Sequence, residues 1–180
     1  MGQRNHSYPA HEVVVSRARE FAINAHWGQM YGTKPYLHHL EEVASICDYF
    51  DLPDYVKAAA YLHDVVEDTD ITADQVCAEF NYEVATLVYS VTDEAGENRK
   101  ERKAKTYRKI LAHPYGVYLK LADRIANVKA CSTAKDTGMF KMYCKEAGGF
   151  EKELKRPGIA EDMWAELDKL YGKDKQSERE

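Results

Sequence analysis

Val56-Lys57-Ala58-Ala59-Ala60-Tyr61-Leu62-His63-Asp64-Val65-Val66-Glu67-Asp68-Thr69 is the stretch on which the reading of the chain turns. Its first half is apolar apart from Lys57, and it predicts a helix over roughly Asp54 to Val66. Val56, Ala60, His63 and Glu67 follow one another at steps of 4, 3 and 4. That spacing is one stripe of an α-helix, so His63 and Glu67 are expected on the face turned to the core. Asp64 falls about 100° further round the same helix, with Asp68 one turn above it. Burying carboxylates costs several kcal/mol each unless something offsets it. A bound cation is an economical offset. A plainer reading of a His-Asp dipeptide also stands at this point: a helix end with His63 as a satisfied core histidine and Glu67, Asp68 and Asp70 as a solvated acidic run.

Outward from this stretch the periodicity is helical nearly throughout. Pro9 opens a first helix, Val14, Ala18, Phe21, Ala22 and Ala25 recur at helical spacing, and Gly28 ends it. Residues 29–34 read as a loop, and Pro35 starts a helix to about Phe50. Thr72-Ala73-Asp74-Gln75 has the capping-box pattern of a short helix. Asn81 to Val91, Arg99 to Ala112, a buried helix marked by Val117, Leu121, Ile125 and Val128, Thr137 to Leu154 and Ile159 to Leu170 complete the set. No segment alternates with period two, so the fold class is all-α, a bundle of about 8–10 helices by this count.

The chain has 180 residues, 44% of them apolar and 31% charged. That suits one globular domain over 1–180, with a core expected at about 9–155 and a flexible tail at 172–180. The net charge of −5 offers no general attraction to nucleic acid, so any anion site has to be local. Cys47, Cys77, Cys131 and Cys144 form no C-x-x-C pair, which reads as reduced, mostly buried thiols and a cytoplasmic protein. The N-terminal segment is polar and no apolar run is long enough to span a membrane. An oligomer is compatible with all of this.

Two further segments bear on the dipeptide. Pro35-Tyr36-Leu37-His38-His39-Leu40 places two histidines beside an apolar face made by Leu40, Val43, Ala44 and Cys47. Leu121-Ala122-Asp123-Arg124-Ile125-Ala126-Asn127 places an aspartate inside an apolar helix, with Asn127 one turn on. Taken singly, the first is a pair of surface histidines as readily as ligands, and the second is a structural partner for an arginine.

Together, PYxxH, HDxxED and LADRxxN, in this order and with 24 residues from His39 to His63, resemble the hydrolase domain of the RelA/SpoT family. In size the chain is most similar to the small, stand-alone, Mesh-type alarmone hydrolases. The resemblance runs from about Ala18 to about Glu153. It implies an HD-domain helical bundle in which His39 (not His38), His63, Asp64 and Asp123 hold one divalent ion, usually Mn2+. A set of two imidazoles and two carboxylates also fits Fe, Co or Zn. The resemblance further implies that Glu67 and Asp68 orient and deprotonate the attacking water, that Asn127 lines the nucleotide pocket, and that Tyr143 is a pocket tyrosine. Many relatives carry a base-contacting Arg or Lys ahead of the PY pair. Here residues 26–34 contain no arginine, leaving Tyr31 to stack on a purine and Lys34 to reach a phosphate.

A highly charged nucleotide needs positive charge on an acidic protein. Residues 98–109 carry seven basic side chains and one acid. Arg102 and Lys105 in that run, with Lys120 and Arg124 beside Asp123, are the expected phosphate contacts. The run is also readable as a solvated helix face, and nothing in it matches a nucleic-acid module. The implied activity is hydrolysis of the 3′-diphosphate of (p)ppGpp-type alarmones, or of pppApp and ppApp, giving pyrophosphate and the nucleoside 5′-phosphate. Other expectations are a 2′-phosphatase of NADPH, another HD nucleotide phosphohydrolase, or a binding partner that neutralises a toxic alarmone synthetase.

Overall fold

The computed structural model describes residues 10–133 and 137–172. Pro9, proposed to open the first helix, and the tail at 173–180 lie outside the described residues. Among the described residues ten helices are formed: α1 (Ala10–Ala25), α2 (Leu37–Tyr49), α3 (Asp54–Leu62), α4 (Val65–Asp68), α5 (Ala73–Glu79), α6 (Tyr82–Val91), α7 (Arg99–Ala112), α8 (Gly116–Thr133), α9 (Thr137–Leu154) and α10 (Glu161–Tyr171). No helix among the described residues is long and apolar enough to cross a membrane.

Helices α3 and α8 occupy the middle. In α3, Val56, Ala58, Ala59, Ala60 and Leu62 are all buried. Three consecutive alanines cover about 200° of a helix, so α3 is enclosed by neighbours rather than laid on a surface. Their small side chains let α1, α2 and α6 pack against it. Helix α8 touches α2, α6, α7, α9 and α10, and its Leu119, Leu121, Ala122, Ile125, Ala126 and Val128 are buried. Helix α10 adds Met163, Trp164 and Leu167 to the same core, which therefore extends beyond the expected limit near residue 155. It ends on Gly172, whose φ of 74° provides the left-handed cap.

Local signals account for several ends. The Thr72–Gln75 capping box forms in both directions, with Gln75 N donating to Thr72 Oγ1 at 3.3 Å and Thr72 N donating to Gln75 Oε1 at 2.9 Å. Asn81 and Asn98 accept from the backbone N–H groups of Val84 and Glu101 and so cap α6 and α7.

Three expectations are corrected. The segment before α2 is not a plain loop: Met30–Tyr31 (β1) pairs antiparallel with Lys34–Pro35 (β2) around a turn that has Gly32 at φ 61°. A two-residue turn with positive φ at its first position closes so short a hairpin, and Pro35 is tolerated because the strand is an edge. Helix α2 consequently begins at Leu37. The helix expected over 54–66 stops at Leu62 and resumes at Val65, with Asp64 at φ −101° and ψ −4°. Finally, only Cys47 and Cys131 of the four free thiols are buried, because Cys77 and Cys144 lie on outward faces of α5 and α9.

Candidate metal and nucleotide site

The interruption at His63–Asp64 builds the site. Adjacent side chains on an unbroken helix diverge and cannot meet. The backbone loosens at Asp64 (φ −101°, ψ −4°) without leaving the right-handed region, and Asp64 Oδ2 lies 3.0 Å from His63 Nε2. His39 arrives from the first turns of α2, and its Nε2 lies 3.7 Å from Asp64 Oδ2 and 3.6 Å from Asp123 Oδ1. Asp123 comes from the middle of α8, with Oδ1 3.9 Å from His63 Nε2. The donor atoms of His39, His63 and Asp123 all lie within 4.8 Å of one another. Donors sharing one ion at about 2 Å each sit roughly 3 Å or somewhat more apart.

The orientation of the imidazoles fits the same use. His63 Nδ1 is 2.7 Å from the carbonyl oxygen of Ala60, so that nitrogen carries the proton and donates. Its Nε2, fully buried and without a hydrogen-bond partner, faces the cluster. A metal ligand is oriented in this way by a backbone carbonyl behind it. His38, by contrast, is exposed and pairs with Lys34 Nζ at 2.7 Å.

A second layer holds the carboxylates. Tyr36 Oη donates toward Asp64 Oδ2 at 2.6 Å and lies 2.7 Å from Asp68 Oδ2. The Tyr36 ring stacks on His26, whose Nδ1 meets Gln29 Oε1 at 2.8 Å, and Gln29 Nε2 donates to the Asp68 carbonyl. Asn127 Nδ2 donates to Asp123 Oδ1 at 2.5 Å, and Lys120 Nζ pairs with Asp123 Oδ2 at 2.9 Å. Asp64, Glu67 and Asp123 thus all act on one ammonium group, Lys120. The excess of negative charge suits a divalent cation.

The electrostatics follow from this crowding. Burial alone would lower the His63 pKa, but the Asp64 carboxylate 3.0 Å away, with Asp123, lifts it to about 9. Burial, reinforced by the neighbouring His63, lowers His39. Burial would raise Asp64 and Asp123, yet His63 holds the first below the usual carboxylate range, and Lys120 with the two histidines holds down the second. Glu67 was expected on the core-facing stripe. The turn at Asp64 leaves it partly open to solvent instead, with Oε1 accepting from Asp93 N at 2.5 Å. Protein packed around its carboxyl pushes Glu67 up to about 7, against the pull of the Asp93 N–H and Lys120.

Beside His39 opens a cleft of about 540 Å³ lined by Tyr31, Lys34, His39, Lys129, Cys131 and Met139, among others. Tyr31, on β1, stacks on His39 with ring centroids 4.7 Å apart and donates to Asn127 Oδ1. Tyr143 of α9 lies under the Arg124 guanidinium, and burial raises its pKa to about 12. Of the expected nucleotide contacts, Tyr31 and Asn127 therefore meet directly, Lys34 lines the cleft, and Lys120 is committed to Asp123. Arg102 packs against Gly96, and Lys105 pairs with Glu101 and the Ala95 carbonyl. The bases of α7 that reach across to α9 are Arg99 and Lys103, which bind Glu146. The sequence reading missed Lys129, Tyr36 as a positioning group, and Glu146. Ala126 and Ala130, four apart on α8, were the available signal for open space along that face.

Residues 18–142 match the HD domain family. Over 127 residues, 68% of this chain, the sequence is 37% identical to the guanosine-3′,5′-bis(diphosphate) 3′-pyrophosphohydrolase of Aquifex aeolicus (strain VF5). It is 36% identical over 128 residues to the Mus musculus guanosine-3′,5′-bis(diphosphate) 3′-pyrophosphohydrolase MESH1, matching 67% of this chain and 71% of the mouse protein. The chain spans about a fifth of the length of the long bacterial relatives it matches. A solved structure described as a metazoan ortholog of SpoT that hydrolyzes ppGpp and plays a role in starvation responses superposes with a TM-score of 0.77 and 25% identity, covering 93% of this chain and 98% of that one. A Listeria monocytogenes EGD-e protein shares the fold at a TM-score of 0.62 and 24% identity, over 76% of this chain and 98% of that one. The chain belongs to the HD-domain family, in the RelA/SpoT-type branch that includes the small Mesh-like proteins.

Proposed function

We propose that this chain is a metal-dependent phosphohydrolase that removes the 3′-diphosphate of (p)ppGpp-type alarmones, with guanine or adenine bases, releasing pyrophosphate and the nucleoside 5′-phosphate. The observation that carries the reading is the clustering of donor atoms of His39, His63 and Asp123 within 4.8 Å of one another, with Asp64 Oδ2 3.0 Å from His63 Nε2 and 3.7 Å from His39 Nε2, beside a cleft of nucleotide size. The relatives named for this reaction support it. His39, His63, Asp64 and Asp123 hold the ion, for which manganese is our assignment. The donor set also suits Fe, Co and Zn. When bound, the ion supplies Lewis-acid activation of water and neutralises charge on the phosphoryl group.

The protein does the rest. Tyr36 fixes Asp64 and Asp68 against each other, so Asp68 is placed to orient the attacking water. Glu67, with a pKa near neutrality, takes and returns its proton. Tyr31, which lines the cleft, stacks on His39 and donates to Asn127, and in this reading the nucleoside binds beside it. The test is to incubate the manganese-loaded protein with ppGpp, pppApp and NADPH and to follow pyrophosphate and orthophosphate separately. Pyrophosphate from a 3′-diphosphate is expected. Asp64→Asn should keep its helicity and lose about a hundred-fold or more in turnover. Orthophosphate from NADPH alone, or an unimpaired Asp64→Asn, would overturn the reading.

A further inference from the structure

Glu146 has no part in the arrangement described so far, yet it gathers three cations. Its Oε1 accepts from Arg99 Nη2 at 3.1 Å, its Oε2 accepts from Lys103 Nζ at 2.7 Å, and Arg124 Nη1 stands 3.5 Å from Oε2. These groups come from α7, α8 and α9. Arg124 is the least expected member, because its side chain is only 7% exposed. Its guanidinium lies over Tyr143 and Phe150, and its Nη1 has no hydrogen-bond partner. A buried guanidinium held by rings and by one long ion pair retains donor capacity for another anion.

The cluster adjoins the metal cradle. Arg124 follows Asp123 in sequence, and Tyr143 lies one turn before Glu146 on α9. Lys103 and Glu146 are each about one-quarter exposed and Arg99 more than half, so the group opens to solvent. Three cations and one carboxylate leave a net charge of +2. That charge is confined to one spot on a protein of net charge −5.

We propose that Glu146 is an internal counter-anion that limits how strongly this cluster binds a polyphosphate group. Its carboxylate holds Arg99, Lys103 and Arg124 at a common point in the free protein. An incoming di- or triphosphate has to share or displace it. Glu146 thereby acts as a specificity-determining residue, restraining affinity most for the most highly charged end of a nucleotide. The inference rests on the phosphohydrolase reading only for the identity of the natural ligand.

The test uses inorganic tripolyphosphate and the metal-free full chain, with affinity measured by calorimetry, so it does not depend on turnover. Glu146→Gln keeps the side-chain shape and should tighten tripolyphosphate binding by about five- to ten-fold. The gain should disappear in Glu146→Gln/Lys103→Gln and be absent in Glu146→Asp. Glu153→Gln, on an exposed face of the same helix, changes the net charge equally and should leave affinity unchanged. A Glu146→Gln protein that melts lower but binds tripolyphosphate as the parent does would overturn the proposal and make Glu146 a structural tie. An equal gain from Glu153→Gln would also overturn it. A failure of nucleotide hydrolysis with the Glu146→Gln gain intact would instead count against the proposed reaction alone.

Discussion

Tyr36 shows how much of the candidate site depends on one residue outside the proposed ligand set. Its hydroxyl lies between Asp64 and Asp68, and its ring is held by stacking on His26. Tyr36→Phe retains the ring and removes only the hydroxyl. Groups that support a metal ligand typically contribute 10- to 100-fold to affinity or activity. We expect Tyr36→Phe to weaken manganese binding by about ten-fold or more, with little loss of secondary structure, as measured by metal titration alongside circular dichroism. Wild-type affinity in that variant would show that Asp64 is placed by its backbone alone. At this scale the sequence was most informative about residues that sit where apolar ones should: Asp123 within Leu121–Ile125, and His63 at the end of an alanine-rich helix. It was uninformative about Glu146, whose meaning comes from partners 47, 43 and 22 positions away.

At the scale of elements, the joint between α7 and α8 leaves no room for a side chain at Gly116. Gly116, the first residue of α8, lies so close to the end of α7 that a Cβ there would fall 2.3 Å from the Ile110 carbonyl oxygen. Backbone cannot yield as a side-chain tip can. Gly116→Ala should therefore cost about 1–3 kcal/mol or more, read from the urea midpoint. Gly148, on the outer face of α9, has open space where a Cβ would go. Gly148→Ala should stabilise the chain by about 0.5–1 kcal/mol through helix propensity. Opposite signs from the same substitution would locate the constraint in packing. The helices themselves were legible from spacing and caps, the Thr72–Gln75 box most clearly. The hairpin at Met30–Pro35 was not, since two residues per strand are too few to alternate. Nor was the interruption at His63–Asp64, which coincides with contacts from Asp64 to His39 and Tyr36, groups distant in the sequence.

For the whole molecule, α2, the α3–α4 junction and α8 each deliver part of a cluster dominated by negative charge. An ion bound by the native state and not by the unfolded chain stabilises in proportion to the logarithm of its saturation. We expect manganese to raise the melting temperature in a concentration-dependent way, and a chelator to remove the gain. At a hundred times its dissociation constant the ion should add about 2.7 kcal/mol. A melting temperature indifferent to manganese, in scanning calorimetry, would mean that the three elements are already locked without it. The same convergence has a temporal side. His39 and His63 are near neighbours in the chain, but Asp123 with its supports Lys120 and Asn127 lies far downstream, on a helix that docks across most of the sequence. Ligands so separated meet only after a costly loop has closed. With the proposed ligand set, capture of the ion is expected late in folding, since a nascent chain that has not yet released α8 would carry the histidines and Asp64 without Asp123.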